Sequence, residues 1–303
     1  MSMKASRILN KTSLFPGVPP VLPVVQASLG LCDGPRLAAA VSRAGGLGTL
    51  SVRNPAPAAL RLRLRQIRAV TPRPVLLAFT AQWERDAVFD TAIAEGFRAF
   101  QVFWWNAPRL ISRIRQAGGT VFCQVGTREE ARDAIETGAS VLIAQGTEAG
   151  GQVRSPRPVL ELVRDLRDTF GSDIPIIAGG GFADAADGQA ALAAGANAAL
   201  FGTRFLLSEE ANAATRDKAR LLKASQADLR LDTRMIGDWP CAPRRCLYSR
   251  TNEDRPGLYA GLGVGRIQTL LPAADLVRRL AKAGATDAAA PTAASTDYTG
   301  GGS

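Results

Sequence analysis

Residues 120–146 read TVFCQVGTREEARDAIETGASVLIAQG. An apolar, β-branched run, TVFCQV, is followed by TREEARDAIETG, whose apolar residues recur at helical spacing, and then by a second apolar run, SVLIAQG. Each run is apolar at consecutive positions and so needs burial on both faces, whereas the segment between them shows a single apolar stripe. That pattern predicts two strands of a parallel sheet joined by a helix.

The same unit recurs on both sides. VLPVVQA, LGTLSV, PVLLAFT and AFQVFWW precede it as strands, and IPIIAGGG and AALFGTRFL follow it. PRLAAAVSRAG, AALRLRLRQIRAV, ERDAVFDTAIAEG and PRLISRIRQAG are the helices of the first half. Eight strands with intervening helices predict an α/β fold, a (β/α)8 TIM barrel. An open doubly wound sheet is the weaker alternative, because the first strand turns through SLGLCDG and not through G-x-G-x-x-G.

The eighth strand is not followed directly by a closing helix. A polar stretch over 208–257 intervenes before PAADLVRRLAKAG supplies that helix. Residues 1–207 are therefore expected to form the main part of the barrel, 208–257 a small, mainly helical lid or substrate domain, and 258–285 the closing segment. From 286 to 303 the chain is DAAAPTAASTDYTGGGS-like low complexity, expected to be a disordered tail.

Composition narrows the classes. The 303 residues are 46% apolar and 21% charged, enough for a large core. No run approaches the roughly 20 apolar residues of a membrane span, and the first residues lack the apolar segment of a secretory signal, so a cytoplasmic protein without membrane contact is expected. Cys32, Cys123, Cys241 and Cys246 form no C-x-x-C pair and the chain has no histidine, which leaves structural thiols and no metal site. The net charge of +10 comes from arginines spread through helical segments such as RLRLRQIR, a pattern of solvated helix faces and not of a nucleic-acid surface. It favours an anionic small-molecule substrate or a phosphate-bearing cofactor.

In a βα barrel the site lies at the carboxyl ends of the strands. That rule selects Ala27 to Leu29, Ala78 to Thr80, Trp104 to Asn106, Gln124 to Gly126, Gln145 to Gln152, Gly179 to Phe182 and Gly202 to Arg204. AGGGFAD and GTRF end the last two strands, where barrels often bind phosphate. Gly180, Gly181, Gly202 and Thr203 can supply donors there, with Asp184 capping the next helix; a pair of tight turns is the plainer alternative. A flavin mononucleotide held by its phosphate at that point would bring its ring to the polar ends of strands one, five and six. Glu148 reads better as a carboxylate tied to backbone N–H groups than as a base. Phe103, Trp104 and Trp105 are either pocket wall or core, and Arg154 and Arg204 either anion-binding or structural.

Five separated stretches, PVVQASLGLCDGPRLAAAVSRAGGLGTL, VLIAQGTEAGGQ, PIIAGGGFAD, ALFGTRFLLSEE and LYAGLGVGRIQTLLPAADLVRRL, together resemble the nitronate monooxygenase (2-nitropropane dioxygenase-like) family, in the expected order from about Val21 to Leu280. The resemblance implies an FMN-binding barrel with a small substrate domain, oxidising alkyl nitronates with dioxygen. Its relatives include FMN-dependent enoyl-acyl-carrier-protein reductases and NAD(P)H:quinone reductases, so NAD(P)H is a further candidate partner and such a reductase the alternative function; a catalytically impaired flavin-binding protein is the second. A homodimer is compatible with the resemblance.

Carried over residue by residue, the family's flavin contacts fall on Ala27, Ser28, Leu29, Ala78, Gln124, Gln145, Gly150, Gly151, Gly180, Gly181, Gly202 and Thr203. Ser28 and Leu29 stand where the family has proline and methionine, Ala78 where it has asparagine, and Leu262 where YAGQ has glutamine. The largest departure is EAGGQ for EAGGH: Gln152 occupies the position of the family's catalytic histidine, and its amide can donate and accept hydrogen bonds but cannot act as a base. An already anionic nitronate would need only orientation and electron transfer there, whereas proton abstraction from a neutral nitroalkane is expected to be slow.

Overall fold

The computed structural model describes residues 13–19, 21–80, 86–103, 107–233, 242–248 and 258–282. Trp104, Trp105, Asn106, Cys241, parts of the inserted segment and the expected tail lie outside the described residues.

Eight parallel strands form the barrel: β1 (Val24–Gln26), β2 (Gly48–Val52), β3 (Val75–Thr80), β4 (Ala99–Phe103), β5 (Thr120–Val125), β6 (Val141–Gln145), β8 (Ile176–Gly179) and β9 (Ala198–Phe201). A two-residue strand, β7 (Gly151–Gln152), lies in the loop after β6. The order β1-β9-β8-β6-β5-β4-β3-β2 brings the first two strands together at the seam. Leu47 N–H donates to Val24 at 2.9 Å and Gln26 N–H to Leu47 at 2.9 Å. Beyond them the side chain of Gln26 continues the ladder, its Nε2 donating to the Thr49 carbonyl at 2.9 Å and its Oε1 accepting from Thr49 N–H at 3.0 Å. A side-chain amide thus stands in for main chain where the barrel closes.

Helices α1 (Pro35–Arg43), α2 (Pro57–Val70), α3 (Asp86–Ala94), α4 (Pro108–Gln116), α5 (Arg128–Thr137), α6 (Val159–Phe170) and α7 (Ala185–Ala193) alternate with the strands. α5 shows the local logic: Thr127 accepts from Glu130 N–H at its start, acidic residues fill the first turn, and Gly138 at φ +117° ends it. It buries Ala131 and Ala134 and leaves Arg128, Glu129, Arg132 and Asp133 outside. The barrel interior is a separate apolar cluster in which Phe15, Val18, Leu76, Phe122, Ile143 and Ile177 take part. Phe15 meets Phe122 edge to face at 5.4 Å, so the segment before β1 plugs the amino-terminal end of the barrel.

A short helix α8 (Thr203–Leu206) follows β9, and α10 (Ala273–Ala281) closes the outer ring against α1. Between them, the segment expected to be mainly helical holds α9 (Thr215–Leu222) but also strands β10 (Leu229–Asp232) and β11 (Arg244–Leu247). β11 pairs antiparallel with β10, with β12 (Leu258–Tyr259), and with β7. Two arginines of β11 are buried: Arg245, 8% exposed, donates to the carbonyls of Thr147 and Ala149. The second sheet therefore joins the insert, the closing segment and the loop after β6. No helix among the described residues is long and apolar enough to cross a membrane.

Candidate active site

At the carboxyl ends of the strands lies a cavity of about 440 Å³. Ala27, Ser28 and Leu29 line it after β1, and Ala78 at β3. Gln124 and Gln145 line it from β5 and β6, and Gly150, Gly151 and Gln152 from the loop that follows. Gly180, Gly181, Gly202 and Thr203 complete the wall after β8 and β9. Every carried-over flavin-contact position thus faces one space, whereas Leu262 does not line it.

The glycine-rich loops are built on one another. A Cβ on Gly150 would lie 2.4 Å from the backbone carbon of Ala260, one on Gly261 3.0 Å from Gly181 Cα, and one on Gly263 2.0 Å from Gly181 O. The EAGG, AGGG and YAGLG segments are therefore stacked backbone on backbone, which accounts for these glycines before any ligand is considered. Gly202 differs: a Cβ there would meet Ala27 at 3.6 Å, an ordinary contact. Thr203 Oγ1 accepts from Gly261 N–H at 3.0 Å, tying the loop after β9 to the same stack.

Glu148 sits inside this stack as the sequence suggested. Both of its carboxylate oxygens accept from Val159 N–H, at 3.1 and 3.0 Å, at the start of α6. Burial pushes its pKa up, with the Arg245 guanidinium working in the opposite direction. Glu148 does not line the cavity. Arg154 is exposed and ion-paired with Glu130. Arg204 is buried and donates to the carbonyls of Leu207 and Thr269, so it pins the closing segment, and burial lowers its pKa to about 10. Phe103 lines the cavity.

Gln152 is 7% exposed. Its backbone is held by β11, opposite Arg244, and its carbonyl accepts from Gln145 Nε2 at 2.7 Å. Its side-chain Oε1 is buried without a hydrogen-bond partner. Gln101, on β4, repeats the feature: it is 2% exposed, its Nε2 donates to Gln124 at 3.1 Å, and its Oε1 has no partner. Buried acceptors left open on a cavity wall are costly unless a ligand answers them.

Sequence reasoning passed over several wall residues. Its rule of strand ends omitted β2, whose Ser51 and the adjacent Arg53 line the cavity, and it passed over Asp33 in LCDG. Asp33, 2% exposed, accepts from Leu29 N–H at 2.8 Å and Ser51 N–H at 3.0 Å, and from the Ser51 hydroxyl. Applying the rule to all eight strands would have found Ser51. Tyr259 also lines the cavity, and burial pushes its pKa up.

The sequence profile of the family described as nitronate monooxygenase matches residues 12–102 and 98–247. A Mycobacterium tuberculosis protein named (3aS,4S,5R,7aS)-5-hydroxy-7a-methyl-1-oxo-octahydro-1H-indene-4-carboxyl-CoA dehydrogenase is 35% identical over 233 residues, 76% of this chain and 64% of that protein. The nitronate monooxygenase of Pseudomonas aeruginosa is 29% identical over 335 residues, 85% of this chain and 95% of that protein. Among solved structures, FabK from Thermotoga maritima superimposes with a TM-score of 0.78 at 26% identity, covering 86% of this chain and 92% of that one. A nitroalkane oxidase from Streptomyces ansochromogenes gives 0.74 at 28% identity, covering 89% and 97%. The chain spans 64% and 60% of the length of the two carboxyl-CoA dehydrogenases it matches, from Mycobacterium tuberculosis and Rhodococcus jostii.

Barrel, cleft and relatives together point to one family. The chain belongs to the nitronate monooxygenase family.

Proposed function

We propose that this protein is an FMN-dependent oxidoreductase that oxidises an alkyl nitronate with dioxygen, using Gln152 to orient the anion. The observation that carries this reading is the pair of open acceptors, Gln101 Oε1 and Gln152 Oε1, buried on the wall of a cavity of about 440 Å³. A ring system bearing N–H groups answers acceptors placed in that way, and the volume falls in the range of small-molecule sites, about 300–1,000 Å³. The residues present therefore fit a flavin. Gly180, Gly181, Gly202 and Thr203 would hold the phosphate, and Ala27, Ser28, Leu29, Gln124 and Gln145 the ring, with Ala78 offering contact but no hydrogen bond. When bound, FMN supplies a reversible two-electron acceptor that dioxygen can reoxidise.

The chain's own contribution at Gln152 is geometric. The amide N–H can donate to a nitronate oxygen, and no proton is taken there. The second reading is oxidation of a larger thioester-type substrate. It is favoured by the 35% identity to the carboxyl-CoA dehydrogenase and by Leu31, Leu206 and Leu258, which with Arg53 line the same cavity.

The visible spectrum of the purified protein, followed by anaerobic addition of propionate 3-nitronate, NADH or an acyl-CoA, tests both. Bleaching by nitronate with oxygen uptake on re-aeration is the expected result. Bleaching by NADH alone would favour a reductase, and by acyl-CoA alone the second reading. A colourless protein unable to bind added FMN would overturn both.

A further inference from the structure

Gln152 leaves the site without a base at the family's position, yet the cavity is connected to one. Among the described residues, the titratable side chains that line the cavity are Cys32, Arg53 and Tyr259. Burial raises the pKa of both Cys32 and Tyr259, so each keeps its proton near neutral pH, and an arginine is no base. Among the described residues, no carboxylate lines the cavity directly.

One carboxylate reaches it through hydroxyls. Ser28 is exposed on the cavity wall, and its Oγ lies 2.6 Å from Ser51 Oγ. The Ser51 hydroxyl donates to Asp33 Oδ2, while its oxygen accepts from Gly30 N–H at 3.1 Å. With the Ser51 proton committed to Asp33, the proton shared between the two serines belongs to Ser28. Both hydroxyls therefore point inward, from the open cavity to a carboxylate that is 2% exposed.

We propose that Ser28, Ser51 and Asp33 form the proton path of this site, with Ser28 as the group that meets a carbon-acid substrate and Asp33 as the terminal acceptor. As the substrate C–H bond breaks, its proton passes to Ser28 Oγ, the Ser28 proton to Ser51 Oγ, and the Ser51 proton to Asp33 Oδ2. The C–H electron pair stays on the substrate, which becomes the nitronate or an equivalent carbanion; Asp33 becomes a neutral acid, and no oxidant enters this step. The proposal rests on the reading of the cleft as an oxidoreductase site. It also links two departures from the family pattern: a proline at position 28 has no hydroxyl, and Gln152 accepts no proton.

The surroundings of Asp33 agree. Burial raises its pKa, favouring a carboxylate that takes a proton readily, while hydrogen bonds from Ser51 and Leu29 and the Arg63 guanidinium on α2 oppose that rise. Cys32 adjoins it and in turn faces Asp217 and Lys218 of α9.

The test separates proton transfer from oxidation. FMN-loaded protein is incubated anaerobically with nitroethane in D2O, and loss of the α-proton signal is followed by NMR. The wild type should exchange faster than buffer alone, with a rate that rises with pH as Asp33 ionises. Ser28→Ala and Ser28→Pro should each lower the exchange by about 10²-fold or more and abolish that pH limb, as the loss of a general base does. Asp33→Asn should do the same, but Asp33 also accepts from Leu29 and Ser51 N–H, so the Ser28 variants decide. Unchanged exchange in both Ser28 variants, or wild-type exchange no faster than buffer, would overturn the proton path. Failure of nitronate to drive oxygen uptake would instead overturn the proposed function, and leave the exchange result standing.

Discussion

Gln145 donates from Nε2 to the backbone carbonyl of Gln152 across 2.7 Å, so the last residue of β6 fixes where residue 152 sits whatever side chain it carries. Gln152→His should therefore present an imidazole in the same place. Oxygen uptake with nitroethane is expected to rise by about 10²-fold, with a new pH limb near the ordinary histidine pKa of about 6.5. An unchanged pH profile would count against a proton-transfer role for that position.

Glu148 is bonded to Val159 N–H and is absent from the cavity wall, so its role should be structural. Glu148→Gln keeps an acceptor and should preserve flavin binding and turnover, whereas Glu148→Ala should lower stability by about 1–3 kcal/mol, read by urea unfolding. The pH dependence has a definite sign. Because burial raises the carboxyl pKa, the folded chain holds that proton more tightly than the unfolded one. The contribution is full below the unfolded value and is lost as pH rises through the folded one. A pH series of Tm should show wild type losing stability relative to Glu148→Gln across that window.

Two glycine substitutions should separate stacking from ligand space. Gly150→Ala drives a Cβ to 2.4 Å from the Ala260 backbone and should cost about 1–3 kcal/mol or more. Gly202→Ala meets only Ala27 at 3.6 Å and should leave Tm near the wild-type value while weakening FMN binding, by fluorescence titration, about tenfold. Equal loss of stability in both variants would contradict the distinction.

Arg245 braces the carbonyls of Thr147 and Ala149 from the second sheet. Arg245→Ala leaves both acceptors open and should cost about 2–3 kcal/mol. The loop bearing Gln152 should loosen with it, so KM for nitronate should rise more than kcat falls. A change confined to kcat would point to a different role for this arginine.

The barrel was legible because its strands are continuous apolar runs and its helices are punctuated by capping residues such as Thr127 and by glycines such as Gly138. The glycine loops, Gln124, Gln145 and Gln152 were legible because they end strands or lie in the loops just beyond. What escaped had physical reasons. Arg244 and Arg245 look solvated in sequence, yet pairing between β11 and three other strands buries them. Asp33 and Ser51 are 18 positions apart in the chain, and only the β1–β2 seam brings the carboxylate to the hydroxyl. Gln26 is read as one letter of a motif, whereas its amide completes the barrel ladder.

The pairing of β7 with β11 makes β11 a fixed wall and not a flap. To swing it away from the cleft, the ladder that holds Gln152 would have to break, so traffic of substrate and product must run past it. It also gives evolution a remote adjustment: a change in β11 acts on the position of residue 152 while every barrel strand keeps its sequence. Families that diversify substrates on one conserved cofactor platform would find such a dial more useful than a mutable barrel.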